Sequence, residues 1–277
     1  MTGSNLPAEW LPMLREAGVA AQSICGGLTA LRRANYAEAE YYSYALFNLS
    51  IGLERLFKLT ILVDRRAQGL SYPANDEFKR KYGHDLKRLH SSVEEIRRRY
   101  SDKLSWSLPD EDDAAAALGV LTDFARATRY YNLDLLTGKA DIHASRDPIE
   151  AWYLDVGRRI LSRPKSQRYI ARAQRNAAAV DTLIGERTFV LFAAEDGAPI
   201  TTAYDAELRI ILNELIQRES VVICACLARQ AAEVLQQAVP AAHEAGASDV
   251  PYIDEFFEIF NNEESVFKRR KKFSLRG

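Results

Sequence analysis

The sequence predicts an all-α fold, an up-and-down helical bundle with a C-terminal helical extension. Three observations predict it. Apolar residues recur at three- and four-residue spacing through most of the 277 positions. Gly, Pro, Asn and Asp punctuate that pattern where helices would start and stop. Only one stretch, TFVLFAAEDGAPITT, has the apolar run and Asp-Gly turn of a strand pair.

The elements follow in order. A first helix is predicted over 8–33, interrupted near Gly26-Gly27. A second runs from about Ala37 to Arg66 and is apolar nearly all round, as expected of a helix central in a bundle. AQGLSYPAND is a loop by its Gly, Pro and Asn content. A short helix over 75–81 precedes one that starts in GHDLKRL, where Asp85 stands at the N-cap and Leu86, Leu89, Val93 and Ile96 share a face. The acidic end of SWSLPDEDD suits the start of a helix over about 112–136, which stops near Gly138. Another helix begins at DPIEAW, with Pro148 in its first turn and Pro164 beyond its end. Residues 166–184 continue helical. The longest helix covers about 203–238, with Leu208, Ile211, Leu212 and Leu215 on its core face. A short amphipathic helix and a basic tail, FKRRKKF, close the chain. No flexible linker separates the bundle (1–147) from the extension (148–277), which is expected to pack on it.

Charge excludes some functions. Lys and Arg number 37 against 38 Asp and Glu, so no global field advertises a nucleic-acid or membrane partner, and any electrostatic footprint must be local. The longest apolar runs are too short to span a bilayer. The N-terminal residues have no basic region followed by an apolar core, so a signal peptide is not expected. Cys25, Cys224 and Cys226 form no even framework, which fits a reducing cytoplasm. Cys224 and Cys226 lie in the apolar run SVVICACLA and read as packing residues, with no metal and no cofactor expected.

A few polar residues stand out. Glu54 and Lys58 are spaced for a helical ion pair on a helix that is otherwise apolar, so the pair is expected to face a cleft or an interface. In KYGHDL, Gly83 gives a turn, Asp85 caps the next helix, and His84 at its entrance can act as an acid or base or hydrogen-bond a carboxylate such as Glu54. FARATRYYNLDLL carries Arg126, Arg129, Asn132 and Asp134. Regular helical phase groups Phe124, Thr128, Tyr131 and Leu135 as a buried stripe. Arg129 and Asn132 then fall on one polar edge, and Asp134, Tyr130 and Arg126 on the opposite border. Arg269 and Arg270, in the basic tail, are candidates to grip phosphates.

GLERLFKLTILVD, then GHDLKRL, then RYYNLDLLTG resembles the HEPN superfamily over roughly residues 35–140. The resemblance implies a small helical bundle that dimerises, and a metal-independent ribonuclease of prokaryotic defence or toxin–antitoxin systems. HEPN nucleases pair an Arg with a His four to six residues later, the guanidinium clamping phosphate and the imidazole moving protons. Here Asp134 stands five positions after Arg129, and His143 follows only beyond the helix end. The chain therefore departs from the motif at its proton-transfer residue.

These readings combine into one expectation. Arg129, Asn132 and His84 would form the catalytic set, Lys58, Arg126, Arg269 and Arg270 would contact RNA, and Glu54 and Asp85 would support them. The expected partners are a second copy of the chain, RNA or a nucleotide, and an antitoxin or other protein. The alternative is a dimeric helical module that binds such a partner without turnover.

Overall fold

The computed structural model describes residues 6–139 and 145–275. The fold is an all-α bundle: α1 (Trp10–Leu31), α2 (Glu40–Ala67), α3 (Asn75–Tyr82), α4 (Leu86–Arg99), α5 (Glu111–Asp123), α6 (Tyr131–Leu136), α7 (Pro148–Trp152), α8 (Arg158–Ser162), α9 (Gln167–Ile184), α10 (Ala203–Glu244) and α11 (Glu264–Arg269). A two-residue pairing of β1 (Phe192–Ala193) with β2 (Pro199–Ile200) accompanies them, in the register Phe192 opposite Ile200. His143 lies outside the described residues.

The first correction concerns Gly26-Gly27. They do not interrupt α1, which runs unbroken from Trp10 to Leu31. Gly27 instead allows α2 to approach: a Cβ there would lie 2.9 Å from the backbone nitrogen of Leu49. Gly52 of α2 answers it, since a Cβ there would lie 2.8 Å from the nitrogen of Ile24. The two helices thus meet backbone to backbone through two missing side chains. Between them Asn35 Oδ1 accepts from the amides of Ala37 (2.8 Å) and Glu38 (3.1 Å) and closes the turn.

Four helix starts are capped by a short oxygen-bearing side chain. Asp85 accepts from the amide of Arg88, Asp110 from that of Asp113, Asp147 from those of Ile149 and Glu150, and Thr202 from that of Asp205. Leu86, Leu89, Val93 and Ile96 are all buried, as their spacing requires.

Two helices share the middle of the bundle, α2, as its apolar sequence predicts, and α10. Every residue of α10 from Glu219 to Leu235 is buried, and α1, α2, α4, α5, α8, α9 and α11 all pack on it. Leu215 lies in the core, but Leu208, Ile211 and Leu212 are only half-buried because this N-terminal part of α10 is covered mainly on one side. The helix also passes Pro240 and ends at Glu244, later than residue 238. Cys224 and Cys226 sit in its centre, where burial pushes their thiols up to about 12, and burial does the same to Cys25. One continuous core joins residues from Met13 to Phe273.

The Asp196-Gly197 turn makes the β pair, with Gly197 at φ 75°. Glu195, in the turn, is buried and takes hydrogen bonds from Tyr42 of α2 (3.3 Å) and Asn213 of α10 (2.5 Å), with Arg209 at 3.1 Å. A buried carboxylate so well partnered fixes the hairpin to the bundle.

Candidate functional site

The site is built on the outward face of α2. Glu54 accepts from Lys58 Nζ at 2.6 Å, one turn along, in the Glu-before-Lys order that suits a helix. His84 arrives from the turn before α4, where Gly83 at φ 51° lets the chain reverse. Its Nδ1 stands 3.1 and 3.0 Å from the two Glu54 oxygens. A carboxylate takes only donors, so Nδ1 carries the hydrogen and Nε2 is the basic nitrogen whenever the ring is neutral. Nε2 makes no hydrogen bond among the described residues, and the His84 side chain is 63% exposed. Glu54 is 13% exposed and holds both partners from beneath. Lys58 is therefore half-buried against Glu54, more a brace for the carboxylate than a free phosphate contact.

Asp85 does two jobs next to it. It caps α4 and lies 3.7 Å from Arg126, which comes from the far end of α5. Arg126 remains largely exposed beyond that contact.

The segment FARATRYYNLDLL departs from the regular phase assumed for it. Phe124–Thr128 winds as a π-helical turn, Tyr130 at φ −110°, ψ 21° breaks the spiral, and α6 restarts at Tyr131. The wider turn rotates less per residue and sets the phase back, so the buried stripe ends at Thr128, and Leu135, expected inside, is exposed. Arg129 and Asn132 no longer share an edge by regular spacing. Asn132 is exposed and makes no hydrogen bond among the described residues, while Asp134 is occupied by Lys139 at 2.7 Å.

Arg129 has a different environment. Its guanidinium stands 5.2 Å from the centre of the Phe47 ring on α2. No carboxylate among the described residues lies within ion-pair distance, and its Nε is shut from solvent without a hydrogen bond. Phe47 lies two turns before Glu54 on α2, about 10 Å along the helix. Arg129 and the Glu54–His84 pair thus occupy one side of the bundle, joined through α2. Tyr44, Phe47, Tyr130, Leu133 and Leu136 on α2 and around α6 are also exposed.

The tail is not loose. Phe267 and Phe273 are buried on either side of the basic run, and the amide of Phe273 donates to Thr29 Oγ1 at 2.9 Å. Lys268 Nζ lies 3.6 Å from buried Glu219, and Arg270 lies 5.5 Å from the centre of the Phe273 ring. Arg269, Lys271 and Lys272 are exposed. Arg270, expected to reach for phosphate, folds back on the protein because the flanking aromatics anchor its backbone.

Sequence reasoning missed a polar group on α4. His90, Glu94 and Arg97 share a face and meet Gln230 and Glu233 of α10, Arg97 lying 3.2 Å from Glu233. Their i, i+4, i+7 spacing was a readable signal; the polar residues waiting in an apolar-looking α10 were not.

No family model matches the chain, and no curated protein or solved structure matches it. Among the described residues no helix is long and apolar enough to cross a membrane, and no group of three or more His, Cys, Asp or Glu could hold a metal ion.

Proposed function

We propose that the chain is a HEPN-like helical protein directed at RNA, with Arg129 as the phosphate contact and His84 as the proton-transfer residue. One observation carries this reading: the Glu54–His84 hydrogen bond, which fixes the imidazole and leaves Nε2 basic and open to solvent. A histidine oriented through Nδ1 by a carboxylate is the arrangement a general base requires, and 2′-hydroxyl attack in RNA needs such a base. His84 would take the role of the histidine missing after Arg129, reaching the phosphate from the turn before α4. Arg129, with no carboxylate to neutralise it, is free to meet phosphate charge. The homodimer and the defence or toxin–antitoxin setting suggested by the HEPN likeness belong to the same proposal.

A second reading, binding without turnover, draws support from Asn132, which can position a phosphate or base edge but cannot move protons at neutral pH. The exposed apolar residues around α6 suit the partner or second copy that it calls for. Incubating the protein with end-labelled RNA in EDTA separates the two. Cleavage lost in His84→Ala but retained binding supports the first, whereas binding with intact RNA in the wild type supports the second.

A further inference from the structure

Helix α9 carries charge that nothing in the fold neutralises. Between Asp155 and Asp181 seven residues are Lys or Arg and none is Asp or Glu, in a chain whose charges otherwise balance. Arg158, Arg159, Arg163 and Lys165 reach back to the carboxylates of Asp196, Asp113 and Glu219. Arg168, Arg172 and Arg175 do not. All three are exposed, with no carboxylate in ion-pair range among the described residues. Ala173 and Ala177 are buried and form the inner side of the helix. At about 100° per residue, Arg168, Arg172, Arg175, Ala179 and Leu183 share the outer side within about 80°.

This basic face runs into an apolar one. Leu183 is 77% exposed. Ile184 falls two turns after Ala177, on the packing side, yet it is exposed as well, so the end of α9 has outrun the core. Phe189 and Leu191 follow, 89% and 67% exposed, and then Phe192, 51% exposed. Phe192 stands edge-on to Tyr36 with ring centres 5.6 Å apart, which ties this end of the segment to the bundle and leaves Phe189 uncovered. The two Phe rings alone expose on the order of 300 Å². Apolar surface of that size marks an interaction site. Glu186 is the one carboxylate from 182 to 194, and Arg187 follows it directly.

The charge says what covers this surface. Two-fold pairing with a second copy would set one Arg stripe against the other, like charge on like. RNA phosphates suit the arginines, but Leu183, Ile184 and Leu191 offer bases neither a stacking plane nor a hydrogen bond. A lipid interface takes both halves, with aromatic and aliphatic side chains at the headgroup–acyl boundary and guanidinium groups on anionic headgroups. We propose that α9 and the segment joining it to β1 rest on an anionic membrane surface, with Phe189 and Leu191 inserted and Arg168, Arg172 and Arg175 on the headgroups. The attachment is peripheral, since no helix among the described residues is long and apolar enough to cross a membrane. It does not rest on RNA binding through Arg129.

Sedimentation of the full chain at low salt with phosphatidylserine-rich vesicles, and with pure phosphatidylcholine vesicles, tests this. The protein is expected to pellet with the first and to stay in solution with the second. Two variants follow, Phe189→Ser with Leu191→Ser, and Arg168→Gln with Arg172→Gln and Arg175→Gln. Each should bind the phosphatidylserine-rich vesicles at least about tenfold more weakly. The altered side chains are all exposed, so both variants should melt with the wild type. The proposal is overturned if the wild type fails to pellet with phosphatidylserine-rich vesicles, or if either variant binds them as the wild type does. Loss of RNA binding in the arginine variant, with vesicles left unbound by the wild type, would give the stripe to RNA instead. A wild-type dimer in light scattering that Phe189→Ser with Leu191→Ser splits would give the apolar tip to a second copy, which also overturns it.

Discussion

His84 Nδ1 lies 3.0 Å from Glu54 Oε2, tying the turn before α4 to the middle of α2. The two residues are thirty positions apart in the chain, and Glu54 is held from its other side by Lys58. One carboxylate therefore orients an imidazole and neutralises an ammonium at once.

Glu54→Ala leaves Lys58 half-buried without a partner and frees the His84 ring. A loss of about 1 kcal/mol is expected in urea unfolding, the usual cost of removing a partly shielded charged acceptor. His84→Ala should cost less than about 0.5 kcal/mol, because its side chain is largely exposed. Equal losses in the two variants would mean that His84 is structural.

Gly52→Ala would set a Cβ 2.8 Å from the nitrogen of Ile24 and 3.0 Å from the carbonyl oxygen of Ala20, both backbone atoms that cannot step aside. The expected cost is about 1–3 kcal/mol. Gly26→Ala is the control, since its nearest neighbours lie 3.9 Å away and the helix gains up to about 1 kcal/mol of propensity. Chemical denaturation of the two variants should move in opposite directions; a stable Gly52→Ala protein would rule out the close α1–α2 contact.

His90 makes stability depend on pH. Burial lowers its folded pKa, with the Gln230 bond and Glu94 opposing and Arg97 adding to the shift. The unfolded chain, with a pKa near 6.5, then binds the proton first, so stability is full above that value and falls as pH drops through it toward the folded pKa. The slope reaches about 1.4 kcal/mol per pH unit at most. Asp64 acts in the opposite sense, since burial raises its carboxyl and protonation then favours the fold. Melting curves of wild type and His90→Gln between pH 7 and pH 5 isolate the histidine, because Asp64 is common to both. Parallel curves would show that His90 contributes nothing.

Phe273→Ala should release the basic run. Losing the aromatic costs about 3 kcal/mol, the low end for such truncations, because the segment can peel off instead of leaving a void. Trypsin should then cut at Arg270, Lys271 or Lys272 well before the bundle is degraded. Wild-type cleavage rates there would mean that Phe267 and Thr29 hold the segment alone.

Much of this was legible in the sequence. The cap at Asp85, the acidic start of α5, the core face of α4 and the Asp-Gly turn all follow from local chemistry, and so does the Glu54–Lys58 pair. The Glu54–His84 contact could be read only as one option, since it joins residues from separate helices. The π turn at Phe124–Thr128 had no sequence signal, because a regular spiral fits the same residues. Its extra width moved Leu135 outward and separated Arg129 from Asn132. The anchoring of the basic tail was not legible either, because it comes from the burial of one aromatic at each end, Phe267 and Phe273. Gly26-Gly27 looked like a break because close packing and flexibility have the same signature until the neighbouring helix is in place.

The central claim is that Arg129 meets the phosphate of an RNA ligand. Fluorescence anisotropy of a labelled single-stranded RNA, titrated at low salt with wild type and Arg129→Ala, tests it most directly. Saturable binding by the wild type is expected, weakened at least about tenfold in the variant, as for one lost charge-assisted contact, with an unchanged melting temperature. No RNA binding by the wild type, or equal affinity in a folded Arg129→Ala protein, would contradict it.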